Sequence, residues 1–470
     1  MNLMVIGGGG REHAIVHKLR ENPEVREIYV LPGNGGIGRE AQCVPIRATD
    51  IPAMVAFAKE HAIGFAVVAP DDPLALGAAD ALREAGIPTF GPSRAAAAIE
   101  GSKVFAKDLM RKYGIPTAAY RVFTDLESAL TYLDTAPLPA VIKADGLALG
   151  KGVVIAQTRE EGRDALRRMM SERVFGDSGS RVVIEEYLTG PEVSVLSFTD
   201  GETLVPMVSS MDHKRALDGD EGPNTGGMGT VAPNPYYTPE MEKLCMETIF
   251  LPTIRAMKAE GRPFAGCLYF GLMLTEKGPR VIEYNCRFGD PETQVVLPLL
   301  ESDLLTVMQA VAAGKLKETP VRWKQASACC VVMASRGYPG KYETGFPITL
   351  PETGDGESIF VAGAREENGT LYTSGGRVLG AVAVRDSLDR AVADAYALCG
   401  RIHFENAFFR RDIGRRALAA EKKENCPWFI AFMWRKNRPW PRKRRGFCGM
   451  PGNFSASRGW SGSGSSTAMM

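Results

Sequence analysis

The chain has 470 residues, which is enough for about three domains with buried cores of their own. Apolar residues make up 45% and charged residues 24%, as in soluble globular proteins, and the net charge of +1 indicates neither a nucleic-acid nor a membrane partner. Nine cysteines without CxxC spacing predict reduced thiols in a cytoplasmic protein, and no apolar run reaches the roughly 18 residues of a membrane-spanning helix.

Strand and helix signals alternate at the start of the chain. Strands are predicted at residues 2–6, 28–31, 65–69 and 88–90, and helices at residues 11–20, 51–61 and 74–85. This alternation predicts a parallel, doubly wound α/β sheet, whose ligands bind at the carboxyl ends of the strands. The glycine run, the turn PGNGG and the segment APDDPLALG all fall at those ends.

The remainder of the chain reads as mixed α+β structure. Helices are predicted at residues 94–113 and 388–402, and strands at 140–143, 153–156, 181–186, 268–274, 280–284, 327–334 and 377–384. The predicted domains are an N-terminal α/β domain at 1–101, a central domain at 102–317 that includes a small unit at about 120–190, and a small C-terminal α+β domain at 325–418.

The tail at residues 421–470 has a different composition. It contains four of the five tryptophans and ten Lys or Arg against two Glu, so the tail carries +8 and the rest of the chain −7. It shows no helical or strand period, which predicts a disordered segment or an artefact such as a shifted reading frame. Basic, aromatic segments also bind nucleic acid, but we favour an unstructured end.

Four glycines, Gly7 to Gly10, separate the first strand from the first helix. Free N–H groups and the positive end of the helix dipole at such a turn suit a phosphate. The alternative is a dinucleotide-binding turn. However, GGGGREH lacks the last glycine of GxGxxG, and no acidic residue ends the second strand.

The segment KADGLALGKGVV, residues 143–154, joins a strand that ends in Lys143 to a glycine-rich loop with a second lysine, Lys151. Such a loop can fold over the phosphates of ATP while the lysines neutralise charge, although it lacks the order of a P-loop. A plain hairpin is the alternative. Downstream, the segment VIEEYLTGPE at 183–192 can offer backbone groups to an adenine edge and Glu192 to a ribose, or can be a surface strand with solvated glutamates.

The segment VIEYNCRFGDPETQ, residues 281–294, is the most specific. Glu283 and Asn285 are two residues apart on a predicted strand and so face the same way, as Mg²⁺ ligands bridging two phosphates would. Arg287 shares that face and can grip a carboxylate or phosphate, whereas the alternative is a structural Glu–Arg pair. A long polar loop includes DHKR at 212–215 and NTGGMG at 224–229, and loops of this length are often functional; we assign no acid–base role to His213.

Taken in order, these segments resemble one family. GGGGREHA, PGNGG, EGSKVFAK, KADGLALGKGVV, DHKR with GPNTGGMG, and EYNCRFGDPETQ closely resemble the glycinamide ribonucleotide synthetase (phosphoribosylamine–glycine ligase) family of ATP-grasp enzymes. The resemblance continues through SGGRVLG and FRRDIG and covers residues 1 to about 418. It implies an ATP-grasp core in which the unit at about 120–190 is a mobile lid.

The resemblance also implies a reaction. ATP, glycine and 5-phosphoribosylamine would give ADP, phosphate and glycinamide ribonucleotide through glycyl phosphate, in de novo purine biosynthesis. The implied cofactors are ATP and Mg²⁺ or Mn²⁺, and we expect a monomer or weak homo-oligomer. A rival within the ligases is another ATP-grasp enzyme, such as a purine-pathway carboxylase or a carboxylase of the biotin type, against which GPNTGGMG and RFGDPE argue.

Site residues follow from the resemblance position by position. Those implied for ATP are Lys103, Lys143, Gly150, Lys151, Gly152, Glu185, Glu186, Leu188 and Glu192. Those implied for the substrates are Gly8, Gly9, Gly10, Gly33, Asn34, Gly35, Asp71, Asp72, Asn224, Thr225 and Gly226. Glu283 and Asn285 are the implied metal ligands, and Arg287, Asp212 and Lys214 are implied to line the place where glycine is activated.

Two segments depart from the family pattern. The family has a Gly-Pro-Glu turn after the third strand, where this chain has Ala69-Pro-Asp-Asp72. A His-Ala-Gly-Thr run is expected in the C-terminal domain, where this chain has Val361-Ala-Gly-Ala364. We expect the first change to alter a contact to ribose rather than the substrate, and the second to tune activity at the edge of the site.

Overall fold

A parallel five-stranded sheet begins the fold. The computed structural model describes residues 1–147 and 152–424, so Gly150, Lys151 and the tail from 425 lie outside the described residues. The strands of this sheet are β1 (Asn2–Gly7), β2 (Glu27–Pro32), β3 (Gln42–Cys43), β4 (Ile63–Val68) and β5 (Thr89–Phe90), and the helices are α1 (Gly10–Arg20), α2 (Ile51–Glu60), α3 (Asp71–Leu76) and α4 (Ala78–Glu84). The strand order β3-β2-β1-β4-β5 confirms the predicted doubly wound sheet and places its switch point between β1 and β4.

Two predicted helices are each broken into two. The helix predicted at 74–85 is divided between α3 and α4 at Gly77, whose φ of +93° favours glycine and ends α3. The helix predicted at 94–113 is divided into α5 (Arg94–Gly101) and α6 (Lys103–Tyr113) because Ser102 is extended, with φ −139° and ψ 112°. The Ser102 hydroxyl caps α6 by accepting from the Phe105 N–H at 3.1 Å. The break puts Lys103 at the start of α6.

A small antiparallel sheet forms the unit predicted as the lid. Its elements are β6 (Tyr120–Phe123), α7 (Leu126–Thr135), β7 (Ala140–Ala144), β8 (Val153–Ala156), α8 (Arg159–Leu166) and β9 (Val182–Glu186). The strand order is β6-β9-β7-β8. Leu133 of α7, Ile142 of β7 and Leu166 of α8 pack in one apolar cluster, so this sheet has a hydrophobic core of its own.

The central part of the chain forms a second antiparallel sheet and a long polar loop. The strands are β10 (Glu192–Asp200), β11 (Leu204–Pro206), β12 (Met211–Asp212), β13 (Arg215–Leu217), β14 (Glu221–Asn224), β15 (Gly229–Ala232), β16 (Ala265–Thr275) and β17 (Gly278–Asn285). The helices are α9 (Pro239–Cys245), α10 (Leu251–Ala259), α11 (Thr293–Val296) and α12 (Leu304–Ala312). One sheet has the order β11-β10-β16-β17, and β13 and β14 form a hairpin.

The C-terminal part contributes most of a third sheet. The elements of the C-terminal part are β18 (Ser327–Ser335), β19 (Pro347–Ile348), β20 (Glu357–Val361), β21 (Ala364–Glu367), β22 (Thr370–Thr373), β23 (Arg377–Arg385), α13 (Leu388–Arg401), β24 (Ala407–Phe408) and α14 (Arg415–Glu424). Of these, β19, β22 and β21 form a separate three-stranded sheet. Strands β12 and β15 join the third sheet in the order β12-β15-β18-β23-β20. The polar loop therefore leaves from and returns to a sheet that the C-terminal part completes.

Asn34 joins the N-terminal sheet to the C-terminal part. Its side-chain N–H groups donate to the carbonyls of Gly8 at 2.9 Å and Val361 at 2.8 Å, and its oxygen accepts from the N–H groups of Gly36 and Ile37. The Gly35 N–H donates to the Ala364 carbonyl at 2.9 Å. The segment 361–364 thus contacts the PGNGG turn through its own backbone groups. These contacts do not require the side chains by which the segment departs from the family pattern.

Within the two described ranges, the helices include none long and apolar enough to cross a membrane.

His213 is buried next to β15, with only 3% of its surface exposed. Its Nδ1 lies 3.1 Å from the Gly229 carbonyl, and its Nε2 accepts the Gly414 N–H at 3.3 Å. This pairing requires a neutral ring protonated on Nδ1. Burial, helped by the nearby Arg410 guanidinium, lowers the His213 pKa to about 4.

We predict that His213 makes stability fall on acidification. The folded pKa of about 4 lies below the ordinary value of 6.5, so the unfolded chain binds a proton first and stability is lost as pH falls between those values. The loss should approach roughly 3 kcal/mol. Urea unfolding at several pH values should show a shallower pH slope for His213→Asn than for the unchanged protein or for the exposed control His403→Asn. An unchanged slope would contradict the prediction.

Candidate active site

Strand β17 carries the central polar face of the site. Tyr284, Cys286 and Phe288 are at most 3% exposed, and the residues between them point to the opposite side. Glu283 and Asn285 therefore share a partly exposed face at the carboxyl end of β17, and Arg287, which is also partly exposed, lies two residues after the end of the strand. Within the described part of the chain, the Asn285 side chain forms no hydrogen bond, so its amide is available to a ligand.

Glu283 lies among several cations. The Lys214 ammonium is 3.4 Å from its carboxylate, whose side chain is still 37% exposed. Lys214, and then Lys143 and Lys103, lower the Glu283 pKa to about 2, and Glu283 in turn raises the pKa of Lys214. The carboxylate is ionised near neutral pH, and it is accessible in a region of excess positive charge. Such a place suits a polyanion accompanied by a divalent cation.

Lys143 and Lys103 reach this region from the lid sheet and from α6. The Lys143 ammonium, at the end of β7, donates to the Ile282 carbonyl at 3.1 Å. The Lys103 ammonium donates to the Gly146 carbonyl at 2.9 Å, and burial lowers the Lys103 pKa. Gly152, which follows residues 148–151 of the predicted phosphate loop, accepts the Ala144 N–H through its carbonyl at 2.9 Å.

Asp145 anchors the start of α6. Its Oδ1 accepts from the Ser102 hydroxyl at 2.9 Å and from the Val104 N–H at 2.8 Å, and its Oδ2 lies 2.5 Å from the Arg181 guanidinium. This carboxylate is 6% exposed. It therefore sets the position of Lys103 relative to the strand that carries Lys143.

The segment predicted to frame adenine divides into an inner and an outer part. The Glu185 side chain points inward between two lysines and is 3% exposed. Glu186 is exposed and pairs with Arg280 at 2.9 Å, Leu188 is partly buried, and Glu192 is half-exposed at 3.7 Å from Lys214. The Glu185 carboxylate is occupied by its ion pairs, so only the backbone and the residues after it remain for a base.

The two glycine-rich turns approach each other closely. A Cβ on Gly8 would lie 2.4 Å from the Gly33 carbonyl oxygen, which explains glycine at that position. The Gly9 N–H donates to Glu12 at 2.6 Å, and the Asn34 side chain is fully used within the protein. The family resemblance implied that all these residues contact the substrates. The structure instead uses Gly9 and Asn34 to shape the turns, leaving Gly8 and Gly10 at the switch point.

Arg287 meets the N-terminal sheet near this switch point. Its Nη2 lies 3.1 Å from Glu100, while its Nε is buried with no acceptor among the described residues. Burial by itself lowers the Arg287 pKa, but the Glu100 and Asp71 carboxylates outweigh burial and raise it. Burial, with the neighbouring Asp71, raises the pKa of Asp72. A buried N–H without an acceptor is costly, and a bound phosphate or carboxylate would satisfy it.

Backbone bonds hold the polar loop over Lys214. The Thr225 N–H and hydroxyl both donate to the Lys214 carbonyl, at 2.8 and 2.9 Å. Arg377 of β23 donates to the Gly226 carbonyl at 2.7 Å, and the Tyr338 hydroxyl accepts the Gly226 N–H at 3.1 Å. Asn224 stays exposed at the end of β14. The C-terminal part therefore positions the loop.

Asp212 lies where this loop begins. One of its carboxylate oxygens is buried and has no hydrogen-bond partner among the described residues. Burial and the Glu292 carboxylate raise its pKa well above the ordinary value. A cationic group placed against Asp212 would relieve this cost.

Comparison with known proteins covers nearly the whole described chain. Phosphoribosylglycinamide synthetase domains match in order: the N domain at residues 1–100, the ATP-grasp (A) domain at 101–293 and the C domain at 328–416.

The chain belongs to the phosphoribosylglycinamide synthetase family. Phosphoribosylamine–glycine ligase of Vibrio vulnificus is 48% identical over 429 residues, 90% of this chain and 100% of the relative. The Mesorhizobium japonicum ligase is 49% identical over 424 residues, 90% of this chain and 100% of the relative. The family resemblance of the motifs is thus confirmed.

Solved structures agree with the family assignment. The crystal structure of the Thermotoga maritima phosphoribosylamine–glycine ligase has a TM-score of 0.78 and 35% identity, and the match covers 88% of this chain and 100% of that one. A biotin carboxylase of Campylobacter jejuni, at 14% identity with a TM-score of 0.69 over 92% and 96% of the chains, shares the fold. The predicted multidomain ATP-grasp fold is therefore confirmed, and the chain is a member of an ATP-grasp ligase family.

Several residues that help to position the site were not predicted from the sequence. Asp145, Arg377 and Tyr338 bind backbone groups or neighbouring charges rather than facing a ligand. Asp145 and Arg377 lie inside quoted motifs, KADG and SGGR, but their partners are far away in the chain. Motif position alone therefore did not distinguish a positioning role from a binding role.

We predict that Asp145→Ala lowers the free energy of unfolding by about 1–3 kcal/mol, because two donors at the start of α6 lose their acceptor. Asp145→Asn should lose less, since an amide oxygen can still accept from Ser102 and Val104. Urea unfolding measures both. Asp134→Ala, which removes a carboxylate that is 49% exposed, is the matched control and should change little. Equal effects of the three substitutions would contradict the anchoring role.

Proposed function

We propose that this chain joins glycine to 5-phosphoribosylamine at the expense of ATP, giving glycinamide ribonucleotide, ADP and phosphate in de novo purine biosynthesis. The accessible, ionised Glu283 surrounded by Lys214, Lys143 and Lys103 is the observation that supports it most, because it suits a metal-bound triphosphate. The relatives named phosphoribosylamine–glycine ligase support the choice of the two other substrates.

The proposed chemistry has two steps. A carboxylate oxygen of glycine attacks the γ-phosphorus, the bond to the β-phosphate oxygen breaks, and ADP leaves as glycyl phosphate forms. The amine of phosphoribosylamine then attacks the acyl carbon, loses a proton, and expels inorganic phosphate. Lys143 and Lys103 neutralise charge on the phosphates, and no side-chain nucleophile is required.

Glu283 and Asn285 are the proposed ligands of Mg²⁺ or Mn²⁺. Both supply oxygen from one face of β17, the carboxylate is ionised, and the amide is free of other bonds among the described residues, so the donor set fits a hard divalent cation. When bound, the cation neutralises and orients the β- and γ-phosphates. Arg287, two residues after the end of β17, is proposed to contact the carboxylate or phosphate of a second substrate.

The remaining sites are assigned by charge and position. Phosphoribosylamine is proposed at the switch point, with its phosphate at Gly8, Gly10 and the unpartnered Arg287 Nε, and its ribose near Asp71 and Asp72. Glycine is proposed between Lys214 and Asp212, since its carboxylate needs a cation and its ammonium an anion. The unit at about 120–190 is the proposed lid that excludes water from the acyl phosphate.

The cellular location, oligomeric state and partners are also proposed. We expect an enzyme of the cytoplasm, a monomer or weak homo-oligomer, that acts on small molecules and has neither nucleic acid nor membrane as a partner. ADP release tests the reaction directly: it should require both glycine and phosphoribosylamine. Release that depends on bicarbonate instead would favour a carboxylase and overturn the proposal.

We predict that Glu283→Gln lowers kcat by about two orders of magnitude and raises the Mg²⁺ concentration needed for half-maximal rate. Glutamine keeps the size of the side chain but removes the charge that the cation requires. Steady-state rates across a magnesium titration provide the measurement, and circular dichroism checks the fold. Glu276→Gln, exposed in the turn before β17, is the matched control. Unchanged turnover at limiting Mg²⁺ would remove Glu283 from the metal site.

We predict that deleting residues 425–470 leaves ligase turnover within about twofold of the full chain. The family match ends at residue 416, and 90% of this chain is enough to match the full length of the Vibrio vulnificus relative. Side-by-side kinetics of the two proteins measure this. A large loss of turnover would make the tail part of the enzyme.

A further inference from the structure

Lys143, one of the lysines near Glu283, is buried together with two other charged side chains. Lys107 of α6 lies 2.9 Å from one oxygen of Glu185 on β9, and Lys143 of β7 lies 3.1 Å from the other. Exposures are 3% for Lys107, 3% for Glu185 and 6% for Lys143. Lys107 comes from the helix that follows the N-terminal sheet, whereas its two partners belong to the lid sheet. The triad therefore lies where the lid sheet meets the rest of the fold.

Both lysines are also tied to strand β17. Lys107 donates to the Thr117 hydroxyl at 2.8 Å, which donates to the Val281 carbonyl at 2.7 Å. Lys143 donates to the Ile282 carbonyl at 3.1 Å. The Glu185 oxygen next to Lys143 receives no aligned hydrogen bond, so that contact is electrostatic only. Glu185 thus binds Lys107 more closely than Lys143.

The balance of charge in the triad matters for ATP. When all three groups are ionised, two cations share one carboxylate, and one positive charge is left over. Because Lys107 takes the shorter contact and Lys143 makes no aligned hydrogen bond to Glu185, Lys143 is the less completely paired lysine, and its charge acts on Glu283. Without Lys107, the whole carboxylate would be available to Lys143, and an aligned bond to Glu185 would compete with a phosphate.

We infer that Lys107 is a positioning residue for ATP: it holds the Glu185 carboxylate so that Lys143 keeps its charge and its free N–H groups for the phosphates. This inference rests on the proposed function, because it assumes that Lys143 meets ATP. Lys107 itself is 3% exposed and acts through Glu185 and Lys143. Its position one helical turn after Lys103 on α6 points it inward, behind the lysine proposed to contact phosphate.

The surroundings of Lys107 make its charge sensitive to pH. Burial lowers the Lys107 pKa to about 8. The Glu185 carboxylate raises this pKa, and the Lys143 ammonium lowers it further. The Glu186 charge, on the other face of β9, also raises the Lys107 pKa, and the Tyr120 ring of β6 lies 5.6 Å from its ammonium. Above that pH, the lysine loses its charge and its hold on Glu185, so ATP binding should weaken. Arginine stays charged throughout.

Calorimetric binding of ATP with Mg²⁺ tests the inference without requiring turnover. Lys107→Met should weaken ATP binding on the order of tenfold, and Lys107→Arg should restore it to within about threefold of the unchanged protein. Lys112→Met, on the same helix but 64% exposed and paired with Glu260, is the matched control and should bind ATP normally. In steady state, KM for ATP should rise while KM for glycine stays within about twofold.

A pH series separates positioning from mere support of the fold. From about pH 7 to pH 9.5, ATP binding should weaken more steeply in the unchanged protein than in Lys107→Arg; the Lys103 pKa is lowered in both proteins, so its effect is common to the two. The inference is overturned if folded Lys107→Met binds ATP normally, if Lys107→Arg is as weak as Lys107→Met, or if all KM values rise together. Should Lys107→Met not fold, Lys107→Arg and its pH series still decide. Normal ATP binding without glycine-dependent ADP release would instead refute the proposed function alone.

Discussion

The site depends on the fold holding several mutually repelling cations close to a single carboxylate. Lys214, Lys143 and Lys103 surround Glu283 and keep its pKa near 2, yet its side chain remains 37% exposed. Such an assembly is poorly satisfied by itself, because excess positive charge is gathered in a partly buried place. A bound triphosphate with its divalent cation would complete it, and pre-arranged charge of this kind is what phosphoryl transfer requires.

Each cation is held by a different part of the fold. The break at Ser102 and the Asp145 carboxylate position Lys103. The lid sheet and the β17 backbone position Lys143. Lys214 lies on a loop to which Arg377 of the C-terminal part donates a hydrogen bond. Because the cations come from separate elements, motion of one element would change the charge around Glu283. The buried Lys107–Glu185 pair lies at one such junction, between the lid sheet and α6.

The C-terminal part supports the site, although the residues proposed to bind ligands lie before it in the chain. Strands β12 and β15, on either side of the polar loop, belong to its sheet, and the segment 361–364 pairs with the PGNGG turn through backbone groups. Backbone pairing explains why Val361 and Ala364 are compatible with the family fold despite lacking the expected polar side chains. The segment contributes hydrogen bonds that any residue type provides.

The sequence by itself determined the parallel N-terminal sheet, the order of the family motifs and the shared strand face of Glu283 and Asn285, because strand–helix alternation and period two are local properties. It did not predict the break at Ser102, where a distant carboxylate, Asp145, competes for the helix start. Nor did it show that Asn34 and Glu185 point their side chains inward, since motif letters do not reveal which partner a polar group meets. Those assignments depend on contacts between residues far apart in the chain, and only the tertiary structure decided them.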